Sequence, residues 1–189
     1  MSDTAAPPSK ATVRRRLLAR RRGREVSADG PPLATRVLEL IETSPATVCA
    51  YVATAGEPPT TDLLDRLMAG GHRVLLPVLL PDLDLDWSAL SAGEDLVPGR
   101  LGLREPAGPR LGPDAVAQAD LVVCPGLAGD RTGARLGRGG GSYDRALART
   151  RARSVLLLHD DEVLDAVPAQ PHDKPVDVIV TPIRTLEIR

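Results

Sequence analysis

Between Arg135 and Arg145 the chain reads Arg-Leu-Gly-Arg-Gly-Gly-Gly-Ser-Tyr-Asp-Arg. Gly137, Gly139, Gly140 and Gly141 free the backbone for φ > 0 and let a ligand come close to the main chain. Arg135, Arg138 and Arg145 offer charge-assisted hydrogen bonds of about 1.5–3 kcal/mol each, and consecutive unobstructed amides add a fixed positive nest for phosphate oxygens. Residue types and spacing together describe a polyphosphate cradle. An apolar run, Leu121-Val-Val-Cys-Pro-Gly, precedes it as a buried strand, and Tyr143 to Arg149 reads as a helix. The glycines therefore lie between a strand's C-terminal side and a helix, where open α/β sheets bind anions. No Gly-Lys-Ser/Thr follows, and Ser142 stands where Gly-x-Gly-x-x-Gly needs its last glycine, so neither common nucleotide fingerprint applies.

Other candidates lie far away in sequence. Lysine is almost absent, so Lys10 and Arg14 draw attention as a cationic pair one helical turn apart that could clamp phosphates. Glu57 sits in Ala55-Gly-Glu-Pro-Pro-Thr, on a loop after the first strand, and is either a ligand-facing carboxylate or a solvated one. Asp173 and Asp177 flank the last strand, and Asp173, in the loop before it, is freer to reach a metal. Trp87, the sole indole, is either a core plug or a stacking platform. His72, His159 and His172 share no ligand or triad spacing. Cys49 and Cys124 sit in apolar runs, where free thiols behave as small buried hydrophobes, and no Cys/His spacing suggests zinc.

The elements that must position these residues follow from hydrophobic period. Helices are predicted from Lys10 to about Arg24, Leu33 to Thr43, Thr60 to Gly70, Asp114 to Gln118, Tyr143 to Arg149 and Asp161 to Val167. Strands are predicted at Thr47 to Ala53, Arg73 to Leu79, Asp84 to Ser88, Ala119 to Pro125, Arg153 to His159 and from Asp177 onward. A helix between the first two strands makes them parallel. The alternation implies a three-layer α/β sandwich with a mainly parallel sheet. The Asp-, Gly- and Pro-rich stretch from Pro81 to Gly112 reads as a lid or pocket wall. At 189 residues the chain fits one domain over residues 9–189, with a disordered tail over residues 1–8. A net charge of −1 provides no global field for nucleic acid or membrane. No apolar run reaches the ~18 residues of a membrane span, and there is no secretory h-region, which fits a cytoplasmic setting. The arginines of the first helix read as a solvated face, a nucleic-acid patch or part of a presequence.

The block from Asp130 to Arg145, preceded by Val122-Val-Cys-Pro-Gly-Leu-Ala, resembles the signature of the 5-formyltetrahydrofolate cyclo-ligase family. Further motifs share the resemblance: Lys10-x-x-x-Arg14, Gly56-Glu57, Leu76-Pro77, Gly102-x-x-Glu105-Pro106 and His172-Asp173-x-x-Val176-Asp177. It implies a fold related to the ribose-isomerase and CoA-transferase-like group. It also implies ATP- and Mg²⁺-dependent closure of 5-formyltetrahydrofolate to 5,10-methenyltetrahydrofolate, releasing ADP and phosphate. By resemblance, Lys10, Arg14, Arg135, Leu136, Gly137, Arg138, Gly139, Gly140, Gly141, Ser142 and Tyr143 hold ATP, with Arg138 and Lys10 the catalytic cations. Asp144 and Asp173 carry Mg²⁺. Val52, Glu57, Trp87 and the Arg138 to Ser142 segment face the folate, with Glu57 on the pterin's donor edge. Nucleic acid and membrane are not implied partners, and a monomer is expected. Ser142 departs from the family by replacing the first of two aromatics before Asp144, and Pro58-Pro59 departs after Glu57. Two rivals remain at this point: a sugar-phosphate isomerase or CoA-transferase-like enzyme on the same fold, and an RNA-associated protein using the N-terminal arginines.

Overall fold

A computed structural model of the chain describes residues 9–91, 93 and 96–188; the tail expected over residues 1–8 lies outside them. In chain order the helices are α1 (Lys10–Arg21), α2 (Gly30–Leu38), α3 (Thr61–Ala69) and α4 (Ser142–Ala148). The strands are β1 (Thr47–Cys49), β2 (Arg73–Leu79), β3 (Leu85–Ala89), β4 (Val97–Pro98), β5 (Arg104–Glu105), β6 (Leu121–Pro125), β7 (Ala128–Gly129), β8 (Arg135–Leu136), β9 (Arg153–Leu157), β10 (Val178–Val180) and β11 (Thr185–Glu187).

Seven strands form one sheet in the order β11-β10-β9-β6-β1-β2-β3. The five inner strands are parallel, and both edges, β3 and β11, run antiparallel to their neighbours. Period-two alternation within strands that are apolar throughout explains the three layers. Val48, Val74, Leu76, Val123 and Val155 face one side, where α2 and α3 supply Leu33, Val37, Leu63 and Leu67. Cys49, Leu75 and Val122 face the other, against Ala146 of α4 and Ala115 and Val116 of a 3₁₀ turn. Helix α1 packs Val13 and Leu17 on Leu127, Ala128 and Leu136 of the β7–β8 hairpin, above the strand ends.

The strand order reverses between β1 and β6. From β1 the chain crosses through α3 to β2 on one side, and from β6 it crosses through α4 to β9 on the other. The connections leaving the C-terminal ends of β1 and β6 thus diverge and leave a crevice, where open α/β sheets bind ligands. Residues 50–57 leave from β1, and the β7–β8 hairpin with the glycine loop leaves from β6.

Several predicted boundaries move, each for a local reason. Helix α1 stops at Arg21, before Gly23 at φ 71°. Helix α2 starts earlier because Pro31 and Pro32 occupy its first turn, where a missing N–H costs nothing, and it ends at Leu38 rather than Thr43. Strand β1 is three residues long instead of running to Ala53, because the chain turns out of the sheet towards the crevice. The helix predicted at Asp161 to Val167 is one 3₁₀ turn, Asp160–Glu162, and that at Asp114 to Gln118 is a 3₁₀ segment, Pro113–Gln118. Strand β11 and the β4–β5 and β7–β8 hairpins are too short to carry a readable period.

Trp87 requires a correction. It is fully buried on β3 among Leu75, Leu79, Leu85, Val116 and Val122, not facing a ligand, because the antiparallel pairing of β3 with β2 turns the indole into the layer beneath the sheet. Trp87→Ala should cost about 3–5 kcal/mol of stability in urea unfolding, while Trp87→Phe leaves the affinity for the expected folate unchanged. Weakened folate binding in Trp87→Phe would return the indole to the site.

Candidate active site

The crevice is a cleft of about 1160 Å³. Every residue singled out above as a site candidate lines it, except Trp87: Lys10 and Arg14 from α1, Val52 and Glu57 from the segment after β1, the run Arg135 to Asp144, and Asp173. Leu79, Leu83, Leu85, Leu101 and Leu103 form an apolar wall from the stretch predicted to be a lid or pocket wall. Leu83 and Leu101 both hold positive φ, at 67° and 53°, an uncommon backbone state for leucine that concentrates at functional loops.

The glycines are needed where the backbone turns. Gly141 is left-handed at φ 68° and starts α4, and Gly139 at φ 106° lies so close to Arg14 that a Cβ would sit 3.4 Å from the guanidinium carbon. Arg14 reaches into the loop, donating from Nε to the Gly137 carbonyl at 2.9 Å. Arg145 donates to the Gly140 carbonyl at 3.2 Å and lies 3.5 Å from Asp84, which Arg149 grips with two bonds of 2.9 and 2.6 Å. Those bonds hold the Asp84 carboxyl below the usual carboxylate range despite its burial, and they tie the loop to the β2–β3 turn.

Each cation facing the cleft has an internal partner. Lys10 Nζ donates to Asp173 at 2.5 Å, and the Gln170 amide donates to the same oxygen at 2.6 Å. Burial pushes the Asp173 carboxyl up, but these two donors and the Lys10 charge outweigh it and leave it below its ordinary value. Arg135 donates from Nη2 to Asp144 at 2.8 Å, and the Lys174 amide donates to the same oxygen at 3.2 Å; Arg135 Nε is buried with no partner among the described residues. Arg138, more than half exposed, donates to Glu57 at 3.0 Å and to the Thr54 hydroxyl at 3.1 Å. The other Glu57 oxygen accepts from the Thr54 amide at 2.8 Å. Glu57 is 7% exposed, which removes the solvated-carboxylate reading.

Among the described residues no group of three or more His, Cys, Asp or Glu is close enough to hold a metal unaided. Asp144 and Asp173, two carboxylates on one cleft with phosphate-binding cations, are the donor set that suits Mg²⁺, which takes one or two carboxylates and completes its shell with phosphate and water oxygens. The residues fit that ion.

A family model described as the 5-formyltetrahydrofolate cyclo-ligase family matches residues 6–182. The chain belongs to that family. It is 43% identical over 188 residues to a protein named 5-formyltetrahydrofolate cyclo-ligase from Mycolicibacterium smegmatis, covering 95% of this chain and 96% of the other. It is 32% identical over 183 residues to the protein of the same name from Escherichia coli K12, covering 92% and 97%. The solved structure of 5,10-methenyltetrahydrofolate synthetase from Aquifex aeolicus superposes with a TM-score of 0.81 at 26% identity, over 95% of this chain and 93% of that one.

Beneath the cleft of this family member lies a polar floor that reading the sequence missed. Arg21, placed above on a solvated basic face, is 4% exposed. It donates twice to buried Glu162, from Nε and Nη2 at 2.7 Å each, and from Nη2 to the Gly126 carbonyl at 2.6 Å. Its Nη1 lies 4.0 Å from Glu57. His159 joins the Gly56 carbonyl at 3.1 Å and Asp29 at 3.2 Å. The available signal was position: Arg21 follows Val13 and Leu17 at helical spacing, so it continues the buried stripe. His72 accepts from the Ala46 amide, and His172 is an exposed residue at the cleft rim. Both cysteines are buried free thiols, pushed up by burial to about 12 for Cys49 and about 11 for Cys124. Arg21→Met should cost about 3–5 kcal/mol in urea unfolding because it strands the Glu162 charge, and Arg21→Met/Glu162→Gln should recover most of that. A single variant as stable as the parent would contradict the pairing.

Proposed function

We propose that this chain converts 5-formyltetrahydrofolate to 5,10-methenyltetrahydrofolate at the expense of ATP, at the cleft between β1 and β6. The observation that carries the reading is the meeting, in one cleft, of the Arg135 to Asp144 loop, the Lys10 and Arg14 pair and the Asp173 loop on one flank, with Glu57 and Val52 on the other. A nucleotide and a folate each find a flank suited to them. The fold group we infer is the ribose-isomerase and CoA-transferase-like one named by the resemblance.

A formyl amide oxygen is a poor leaving group. In the proposed reaction it attacks the γ-phosphorus, the bond from phosphorus to the bridging oxygen breaks, and ADP leaves. N10 then adds to the formyl carbon, the carbon–oxygen bond breaks with its electrons going to phosphate, and the N10 proton is lost. Positioning and charge neutralisation are most of what catalysis of phosphoryl transfer needs. Lys10, Arg14, Arg135, Arg138 and the loop amides from Gly137 to Tyr143 would bind the phosphates, with Lys10 and Arg138 at the transferred group. Asp144 and Asp173 would hold Mg²⁺, which supplies neutralisation of phosphate charge when bound. Glu57 would accept hydrogen bonds from the pterin's donor edge, with Val52 beside it and Gly139 to Ser142 between the ligands. On this reading the partners are the two substrates, the chain acts as a cytoplasmic monomer, and neither nucleic acid nor membrane is involved. Among the described residues no helix is long and apolar enough to cross a membrane.

Following methenyltetrahydrofolate absorbance with purified protein tests this. Product should grow only with both ATP and Mg²⁺ present, and Asp144→Asn should need far more Mg²⁺ for the same rate while keeping its fold by circular dichroism. Product without ATP, or an Asp144→Asn variant undiminished at low Mg²⁺, would sink the assignment.

A further inference from the structure

The chain has only two tyrosines and no phenylalanine, and its core is otherwise built almost wholly from aliphatic side chains. Both tyrosines, Tyr51 and Tyr143, line the cleft. Both hydroxyls are buried without a hydrogen-bond partner among the described residues. A buried hydroxyl left unpaired carries its full desolvation penalty, and an aliphatic side chain of similar shape would avoid it. Tyr143 belongs to the glycine-loop block already assigned to ATP. Tyr51 belongs to no role described so far.

Tyr51 lies just past β1 and is 4% exposed. Its ring packs into the aliphatic layer with Ala50, Leu64 and Leu76, while its residue also contributes to the cleft. Burial, and next the nearby Glu57 carboxylate, push its hydroxyl well above the ordinary phenol value, so at neutral pH it is protonated and able to donate. Glu57 can only accept. A fixed acceptor and a fixed donor on one side of a cleft match a cyclic amide, in which N–H and C=O stand side by side. The pterin ring has that group: its N3–H and 2-amino donors adjoin the 4-carbonyl.

We propose that Tyr51 is a folate-contacting residue whose hydroxyl donates to the pterin 4-carbonyl, beside the donor edge accepted by Glu57. The inference rests on the reading of the Glu57 flank as the folate subsite. It makes specificity for the oxidised amide edge of the ring a property of two residues, one on each side of the turn out of β1.

Titration calorimetry of 5-formyltetrahydrofolate without ATP, and of ATP without folate, tests it with Tyr51→Phe and Glu57→Gln in parallel. Tyr51→Phe deletes one hydroxyl and should weaken folate about tenfold, the loss expected for one hydrogen bond, with ATP affinity unchanged and Tm unchanged or raised. Folate affinity unchanged in Tyr51→Phe but weakened in Glu57→Gln would overturn the role of Tyr51 alone. Folate affinity unchanged in both would overturn the Glu57 subsite and Tyr51 with it. Equal weakening of both ligands together with a fall in Tm would show Tyr51 to be a packing residue, and would also overturn the proposal.

Discussion

A cleft that gathers several like charges remains folded only if each is neutralised, and in this chain the neutralisation is internal. Lys10 is held by Asp173, Arg135 by Asp144, Arg138 by Glu57, and Arg14 by a loop carbonyl. Beneath them Arg21 and Glu162 form a pair buried deeply enough that either partner alone would be costly. These pairs span the chain from α1 to the loop before β10, so they fasten the N-terminal helix across the strand ends as well as arranging the site. The same pairing limits how the site can work. Ligands enter by exchanging partners: phosphate oxygens take the cations, and the released carboxylates turn to metal or pterin. Little net charge is created or removed in that exchange, which suits a reaction that moves a phosphoryl group between two bound substrates.

The place of the cleft follows from the sheet. Because β1 connects outward to β2 and β6 connects the opposite way to β9, the crevice opens where those two strands end. The Tyr51 to Glu57 segment and the glycine loop are the two connections that diverge there. Folate-facing and phosphate-facing groups therefore come from different halves of the chain and are brought side by side by topology. The β7–β8 hairpin adds a short step between β6 and the glycines, turning the loop back under α1 so that Arg14 can reach Gly137.

Much of this was legible in the sequence. Strongly apolar strands such as Arg73–Leu79 and Leu121–Pro125, the glycine-arginine block and the Lys10/Arg14 spacing all carry local signals, and the three-layer parallel architecture followed from their alternation. What was hidden depends on tertiary context. Arg21 looks like its exposed neighbours Arg20 and Arg22, and only packing against Glu162 and the Gly126 carbonyl distinguishes it. Trp87 reads equally well as plug or platform until the register of β3 against β2 turns it inward. Short elements such as β11 offer too few residues for a period. Tyr51 looked like one more strand aromatic, and only its unpaired hydroxyl sets it apart.

The central claim is that the cleft aligns the two substrates so that the γ-phosphoryl of ATP passes to the formyl oxygen. The most direct measurement uses 5-formyltetrahydrofolate carrying ¹⁸O in the formyl group and follows the label by mass spectrometry of the released phosphate. The account predicts one ¹⁸O in each inorganic phosphate formed with methenyltetrahydrofolate. Unlabelled phosphate, with the ¹⁸O recovered in water, would contradict it.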